Sequence, residues 1–309
     1  MDPFSAEGEL VNIHSAFHQG QFSKVISDFS PSTFSSSNQL PCRILQYRAR
    51  IALGEYDGVI SEVKGDSTPD LAAVKILAEY HKNPTAGEQV VAQAEQLGEK
   101  EGDNLAVQIC CGTVLAAQGE YEKAIALLSK HQGSLDAVAL IVQIHLLQNR
   151  TDLAAREARN ARNFAQDSLL VNLAESWVGM REGGEKYQQA FYVFEELAQA
   201  PATTSTRSLI GQATAETHLG RLPEAEAALQ QALTNATTNE ETGRAGAEDS
   251  EVLANAVVLN TILGKEKEAK EAQSKLEKFA PEHAMLADLA TKREAFAAAK
   301  EKYAPKFEP

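Results

Sequence analysis

A short phrase recurs along this chain of 309 residues. It is a glycine, any residue, an aromatic or other large residue, two more residues, and then a small or branched apolar one. Clear copies are Gly20-Gln21-Phe22 with Val25, Gly54-Glu55-Tyr56 with Val59, Gly119-Glu120-Tyr121 with Ala124, and Gly220-Arg221-Leu222 with Ala225. Gly264-Lys265-Glu266 with Ala269 is a degraded copy; Asn149-Arg150-Thr151 with Ala154, and Gly184 with Tyr187 and Ala190, are weaker ones. Gly20 and Gly54 lie 34 residues apart, Gly54 and Gly119 lie 65, and Gly184 and Gly220 lie 36. A phrase repeating at that interval excludes an ordinary single-core fold and demands stacked copies of one small unit.

The segments between the phrases carry apolar residues at helical spacing. Residues 40–53, 105–118, 135–148 and 187–200 are each long enough to prefer helix over strand. The glycine ends the first helix of a unit in a conformation that disfavours a side chain. The large residue two positions on plugs the angle between helices, and the small residue lets the pair approach closely. A lone pair cannot bury its apolar face, so units must stack. A period near 34 is that of the tetratricopeptide repeat. The expected fold is therefore all-α, an α-solenoid of about eight tetratricopeptide-like helix pairs with a long C-terminal capping helix. Residues 1–6 form a tail, 7–281 the solenoid, and 282–309 the amphipathic capping helix and its tail. Residues 83–99 supply the missing pair between the second and fourth clear phrases. The polar stretch 234–250 is expected to be a mobile loop, because it is short of large apolar residues.

Composition narrows the function. The formal net charge is −14, which opposes binding to a phosphate backbone or unaided docking on anionic lipid. The three cysteines, Cys42, Cys110 and Cys111, show no pairing pattern and suit a reducing compartment. Cys110 and Cys111 fall in an apolar helical run and read as buried thiols. The first ten residues lack a basic region followed by an apolar stretch, and no apolar run reaches the ~20 residues of a membrane span. A cytosolic location is expected.

No set of residues nominates a reaction. His14 and His18 stand four apart on a predicted helix, a spacing that can bind zinc. No third ligand is evident in the sequence, so the plainer reading is a surface or partner-facing pair, and no metal or cofactor is expected. Gly183-Gly184 and the run 210–220 do not follow strands, so they make no phosphate-cradling loop. Glu195-Glu196 and Glu240-Glu241 point about 100° apart on a helix and are not an acid–base pair. Trp177 stands where the repeat wants a large inward residue and reads as core. The chain is expected not to be an enzyme.

Two register positions bear on binding. Counted from each turn glycine, the fifth positions of the clearer repeats are Leu10, Ile44, Ile109 and Ile210, and the ninth are His14, Arg48, Thr113 and Thr214. In this repeat type such positions line the concave face, where an apolar row would need an apolar ligand. A register shifted by one would instead place the row between helices. The ninth positions do not form the basic cage of a clamp for acidic peptide ends, which weakens that alternative.

Several stretches, in order and spacing, resemble the epsilon-subunit family of the COPI vesicle coat, coatomer, in a fungal-type version. They are residues 47–63, 69–80, 190–198, 210–233, 252–265 and the terminal Lys302-Tyr303-Ala304-Pro305. The resemblance covers almost the whole chain. It implies a non-catalytic coat subunit in retrograde Golgi-to-ER and intra-Golgi transport, cytosolic and peripheral on Golgi membranes when assembled. It implies a 1:1 complex with the C-terminal domain of the alpha coat subunit, with the array wrapped around an extended segment, and indirect contact with the rest of the coat. The alternative is a generic tetratricopeptide adaptor or co-chaperone that binds an extended peptide.

Overall fold

A computed structural model describes residues 8–83, 87–200, 204–241 and 247–303. Among them every regular element is helical. Eight antiparallel pairs follow in order: α1 (Val11–His18) with α2 (Phe22–Ser27), α3 (Gln39–Ala52) with α4 (Tyr56–Glu62), α5 (Pro69–Lys82) with α6 (Gly87–Lys100), and α7 (Leu105–Ala117) with α8 (Tyr121–Leu128). Then come α9 (Leu135–Leu147) with α10 (Thr151–Arg162), α11 (Leu169–Glu182) with α12 (Glu185–Gln199), α13 (Thr206–His218) with α14 (Leu222–Glu241), and α15 (Ala247–Ile262) with α16 (Glu266–Phe279). The last helix is α17 (Ala284–Lys302). The third pair differs in detail from the expected one: α5 is its first helix and the 83–99 region supplies only the second.

The recurring phrase is one hydrogen-bonded turn made six times. Gly20, Gly54, Gly119, Gly220 and Gly264 all have positive φ, and Asn149 takes the same left-handed conformation at φ 57°. The residue after each donates its N–H to the carbonyl five positions back, for example Glu55 to Arg50 at 2.9 Å, Arg150 to His145 at 2.8 Å and Lys265 to Asn260 at 2.8 Å. This closure satisfies carbonyls that a helix end leaves open. It aims the second helix back along the first. The small residue three positions beyond the plug position (Val25, Val59, Ala124, Ala154, Ala190, Ala225 or Ala269) is buried in each of these seven units. Starts are fixed locally as well. Asn104 Oδ1 accepts the Val107 N–H at 3.1 Å, Ser205 and Ser208 form a reciprocal capping box, and Pro69 opens α5 where its missing N–H costs nothing.

The turn aromatics pack less uniformly than expected. Phe22 is buried, whereas Tyr56, Tyr121 and Leu222 are only half-buried. Tyr56 stacks on His81 of the following unit at 6.2 Å, and Tyr187 stacks on His218 of the following unit at 4.7 Å. These rings seal the joint between units rather than only the angle inside one. Cys110 and Cys111 are free and buried, as their apolar run predicts, and Cys42 is free and buried as well.

Two expectations fail. The polar stretch 234–250 is helical at both ends: α14 continues to Glu241 and α15 begins at Ala247, with 242–246 outside the described residues. Alanine and threonine on an already nucleated helix extend it more cheaply than they start a new structure. Nor does α17 cap the last pair along its length. Met285, Leu286 and Leu289 are half-buried, while every residue of the helix from Ala290 onward is exposed, Phe296 at 72%. The tail 1–6 and the final residues from 304 lie outside the described residues.

Candidate partner-binding surface

The first helices of the units stand side by side, α1 against α3, α3 against α5, α5 against α7, and α7 against α9. A small rotation per unit accumulates. The row therefore curls until α1 meets α9 and the start of α13, contacts that join residues more than a hundred positions apart.

A polar knot ties α1 to α9. Asp136, in the first turn of α9, is 2% exposed at its side chain. Its Oδ2 lies 2.6 Å from His14 Nε2, and its Oδ1 lies 3.1 Å from His18 Nε2 and 3.4 Å from the Arg48 guanidinium of α3. Burial opposes the charge on Asp136, and the contacts from His14 and His18 outweigh it, holding the carboxyl well below its ordinary range. Burial also pushes His18 down to about 4 against the pull of Asp136, so its ring is neutral. Arg48 lies 4.5 Å from the centroid of Phe17, a cation–π contact that fixes its stem.

Two cavities flank this knot. The smaller, about 80 Å³, is lined by Ile44, Arg48, Ile109, Cys110 and Asp136 among others. The larger, about 610 Å³, is a trough lined by α9, α11, α13 and the end of α12, bordered by His18 of α1 and the following Gln19. Its walls are largely apolar: Leu146, Leu147, Leu173, Trp177, Met180, Leu197 and Ile210. Leu147 stands 64% exposed at its rim. Trp177 is half-buried between two cores and forms part of the wall, so it is both packing and surface.

The expected apolar row does not form a continuous binding surface. Leu10 is fully buried with Ile13 and Phe17, and Ile44 and Ile109 are buried in the chain's own core. Tight curvature presses these positions against neighbouring helices, leaving Ile44 and Ile109 only the edge of the small cavity. Ile210 alone of the row is half-buried and lines the trough. The ninth positions diverge more. Thr113 and Thr214 each donate a hydroxyl back to the carbonyl of the fifth position, Ile109 at 2.7 Å and Ile210 at 2.8 Å. His14 and Arg48 instead converge on Asp136. Asp136 and the trough residues were not legible as a set, because their meeting depends on superhelical curvature. The one local signal is a lone carboxylate inside the predominantly apolar run 135–147.

The family model of the coatomer epsilon subunit matches residues 6–304. Coatomer subunit epsilon-1 of Arabidopsis thaliana is 30% identical over 98% of this chain and 100% of its own length. The probable coatomer subunit epsilon of Schizosaccharomyces pombe is 31% identical over 77% of this chain and 78% of its own. Among solved structures, the crystal structure of the APC/C hetero-tetramer Cut9-Hcn1 is similar with a TM-score of 0.58 and 16% identity, covering 93% of this chain and 57% of that one. A tetratricopeptide repeat protein from Parabacteroides merdae is similar with a TM-score of 0.55 and 11% identity, covering 87% and 96%. At these identities the two solved structures speak to the solenoid fold alone.

Proposed function

The chain belongs to the coatomer epsilon-subunit family and is a subunit of the COPI coat, and from that premise we propose that it holds the C-terminal domain of the alpha coat subunit in the trough of α9, α11 and α13. It works by holding a partner, without turnover, and so supports retrograde Golgi-to-ER and intra-Golgi transport from a peripheral position on Golgi membranes. The observation that carries the reading is the 610 Å³ apolar trough with Leu147 standing free at its rim. Apolar area left open on a folded surface is stabilised when a partner covers it. Aromatic and large aliphatic side chains such as Trp177 and Met180 are the kind that dominate binding energy at such centres. Among the described residues no helix is long and apolar enough to cross a membrane, so attachment through other coat subunits fits the reading.

The test is direct. The chain and the C-terminal domain of the alpha subunit, mixed at micromolar concentration, should co-elute as a 1:1 complex in size-exclusion chromatography with light scattering. Leu147→Asp, on an exposed position, should leave the helical signal intact and weaken the complex at least tenfold. Separate elution of the wild-type proteins overturns the reading. Undiminished binding by both Leu147→Asp and Trp177→Ala places the contact elsewhere and overturns the assignment to the trough.

A further inference from the structure

The histidine pair of α1 has a third partner that the function above does not use. Three donor atoms or groups face one another: His14 Nε2, His18 Nε2 and the Asp136 carboxylate. The two nitrogens are 3.1 Å apart, and each lies against one carboxylate oxygen, at 2.6 and 3.1 Å. All the ligand atoms lie within 4.8 Å of one another.

Counting protons exposes a mismatch. Each Nε2 carries at most one hydrogen, whatever the charge on the ring. An ionised Asp136 contributes none. Two protons therefore serve three short edges. If both nitrogens donate to Asp136, their two N–H groups crowd each other at 3.1 Å. If one donates to the other nitrogen, an imidazole lone pair faces a buried carboxylate. A single dication at the centre satisfies all three edges at once, replacing both protons.

We propose that His14, His18 and Asp136 form a binding site for a divalent transition-metal ion, zinc by preference, which clasps α1 to α9. Imidazole and carboxylate are the ligands zinc takes, in tetrahedral geometry with bonds of about 2.0–2.2 Å. Such bonds set edges of about 3.3 Å between donors, so the two 3.1 Å contacts need to open by a few tenths of an ångström and the 2.6 Å contact by about 0.7 Å. Arg48, 3.4 Å from Oδ1, holds the carboxylate from its outer side as supporting partners of metal ligands do. Its positive charge lowers affinity, which argues for a micromolar rather than a tightly structural site. The fourth position belongs to water or to a donor from whatever occupies the trough, since His18 also lines that cavity.

Metal content of the full chain tests this. Protein stripped with a chelator and dialysed to equilibrium against micromolar zinc chloride should retain one zinc per chain above the dialysate by elemental analysis. Cobalt loading should give the visible absorption of a tetrahedral ion. His14→Gln and His18→Gln, which keep a polar side chain, should each lose the metal at least tenfold. A wild-type chain that retains no zinc overturns the proposal, as does equal retention by both variants. Should the variants fail to fold, the wild-type chain alone decides. Saturating zinc should raise its melting temperature by a few degrees through preferential binding to the folded state, and an unchanged melting temperature overturns the site.

Discussion

The hydroxyl of Ser205 donates a hydrogen bond to the backbone carbonyl of Gln19, 186 residues earlier in the chain. Beside it the Arg207 guanidinium lies 5.5 Å from the centroid of Phe22. The first unit thus touches the seventh, and the array departs from a ladder in which each unit meets only its neighbours. Ser205 does two jobs with one oxygen, since it also accepts the Ser208 N–H as the cap of α13.

Ser205→Ala should therefore destabilise by about 1–2 kcal/mol, from a lost cap and a lost hydrogen bond. The distribution of the damage is the informative part. Hydrogen exchange should quicken both at the start of α13 and at the turn between α1 and α2. Faster exchange confined to α13 would show that the contact with Gln19 carries no stability.

Phe22 and Tyr56 occupy equivalent places in their units but not equivalent environments. Phe22→Ala should cost about 3–5 kcal/mol, as for other buried aromatics. Tyr56→Ala should cost about half of that, because the ring is half-buried and part of its contact is with His81. Urea denaturation of the two variants side by side reads the difference, and equal losses would contradict it.

Gly119 has φ of 81° and nothing within 4 Å of the place a Cβ would take. Space is free, so Gly119→Ala isolates the conformational penalty, about 1 kcal/mol. Gly211 is the opposite case: a Cβ there would lie 2.7 Å from the Phe194 ring. Gly211→Ala should cost more than Gly119→Ala in thermal melts, through displacement of that ring.

Glu216 is buried on α13. Its Oε1 accepts from Gln212 at 3.0 Å and its Oε2 is among the buried oxygens without a hydrogen-bond partner. Burial raises its pKa above the ordinary carboxylate value. A raised pKa in the folded state means the folded chain binds the proton more tightly. Stability from this group is then greatest below the unfolded pKa and falls as pH rises to the folded one. Glu216→Gln should remove that loss and stabilise the chain by about 1 kcal/mol at neutral pH, with the gain shrinking under acid conditions. A gain independent of pH would point to a different cause.

The turns were the most legible part of the sequence, because a left-handed glycine followed by a plug is a local requirement that any stretch of chain states for itself. Even the weak copy at Asn149 folds the same way, asparagine being the side chain that best tolerates that conformation. The trough was not legible. Leu147, Trp177 and Ile210 come together only through the summed rotation of three units, a quantity no local spacing encodes. The same curvature explains why Leu10 was misplaced on an open face and why Asp136 was not seen beside His14. At 234–241 the limit is of another kind: polar composition suggests a loop, although a helix already running needs no apolar face to continue a couple of turns.

The buried thiols give the chain an internal clock. Cys42 sits in the first core with Leu45, whereas Cys110 and Cys111 sit in the next with Leu115 and Leu128. Burial pushes Cys42 and Cys110 up to about 11, and Cys111 higher still. An alkylating reagent attacks only thiolate that it can reach, so none of the three reacts until its own core opens. Labelling at Cys42 then times the opening of the first two units, and labelling at the adjacent pair times the opening of the middle of the array. The unmodified protein thus carries separate reporters for its first units and for the middle of its array.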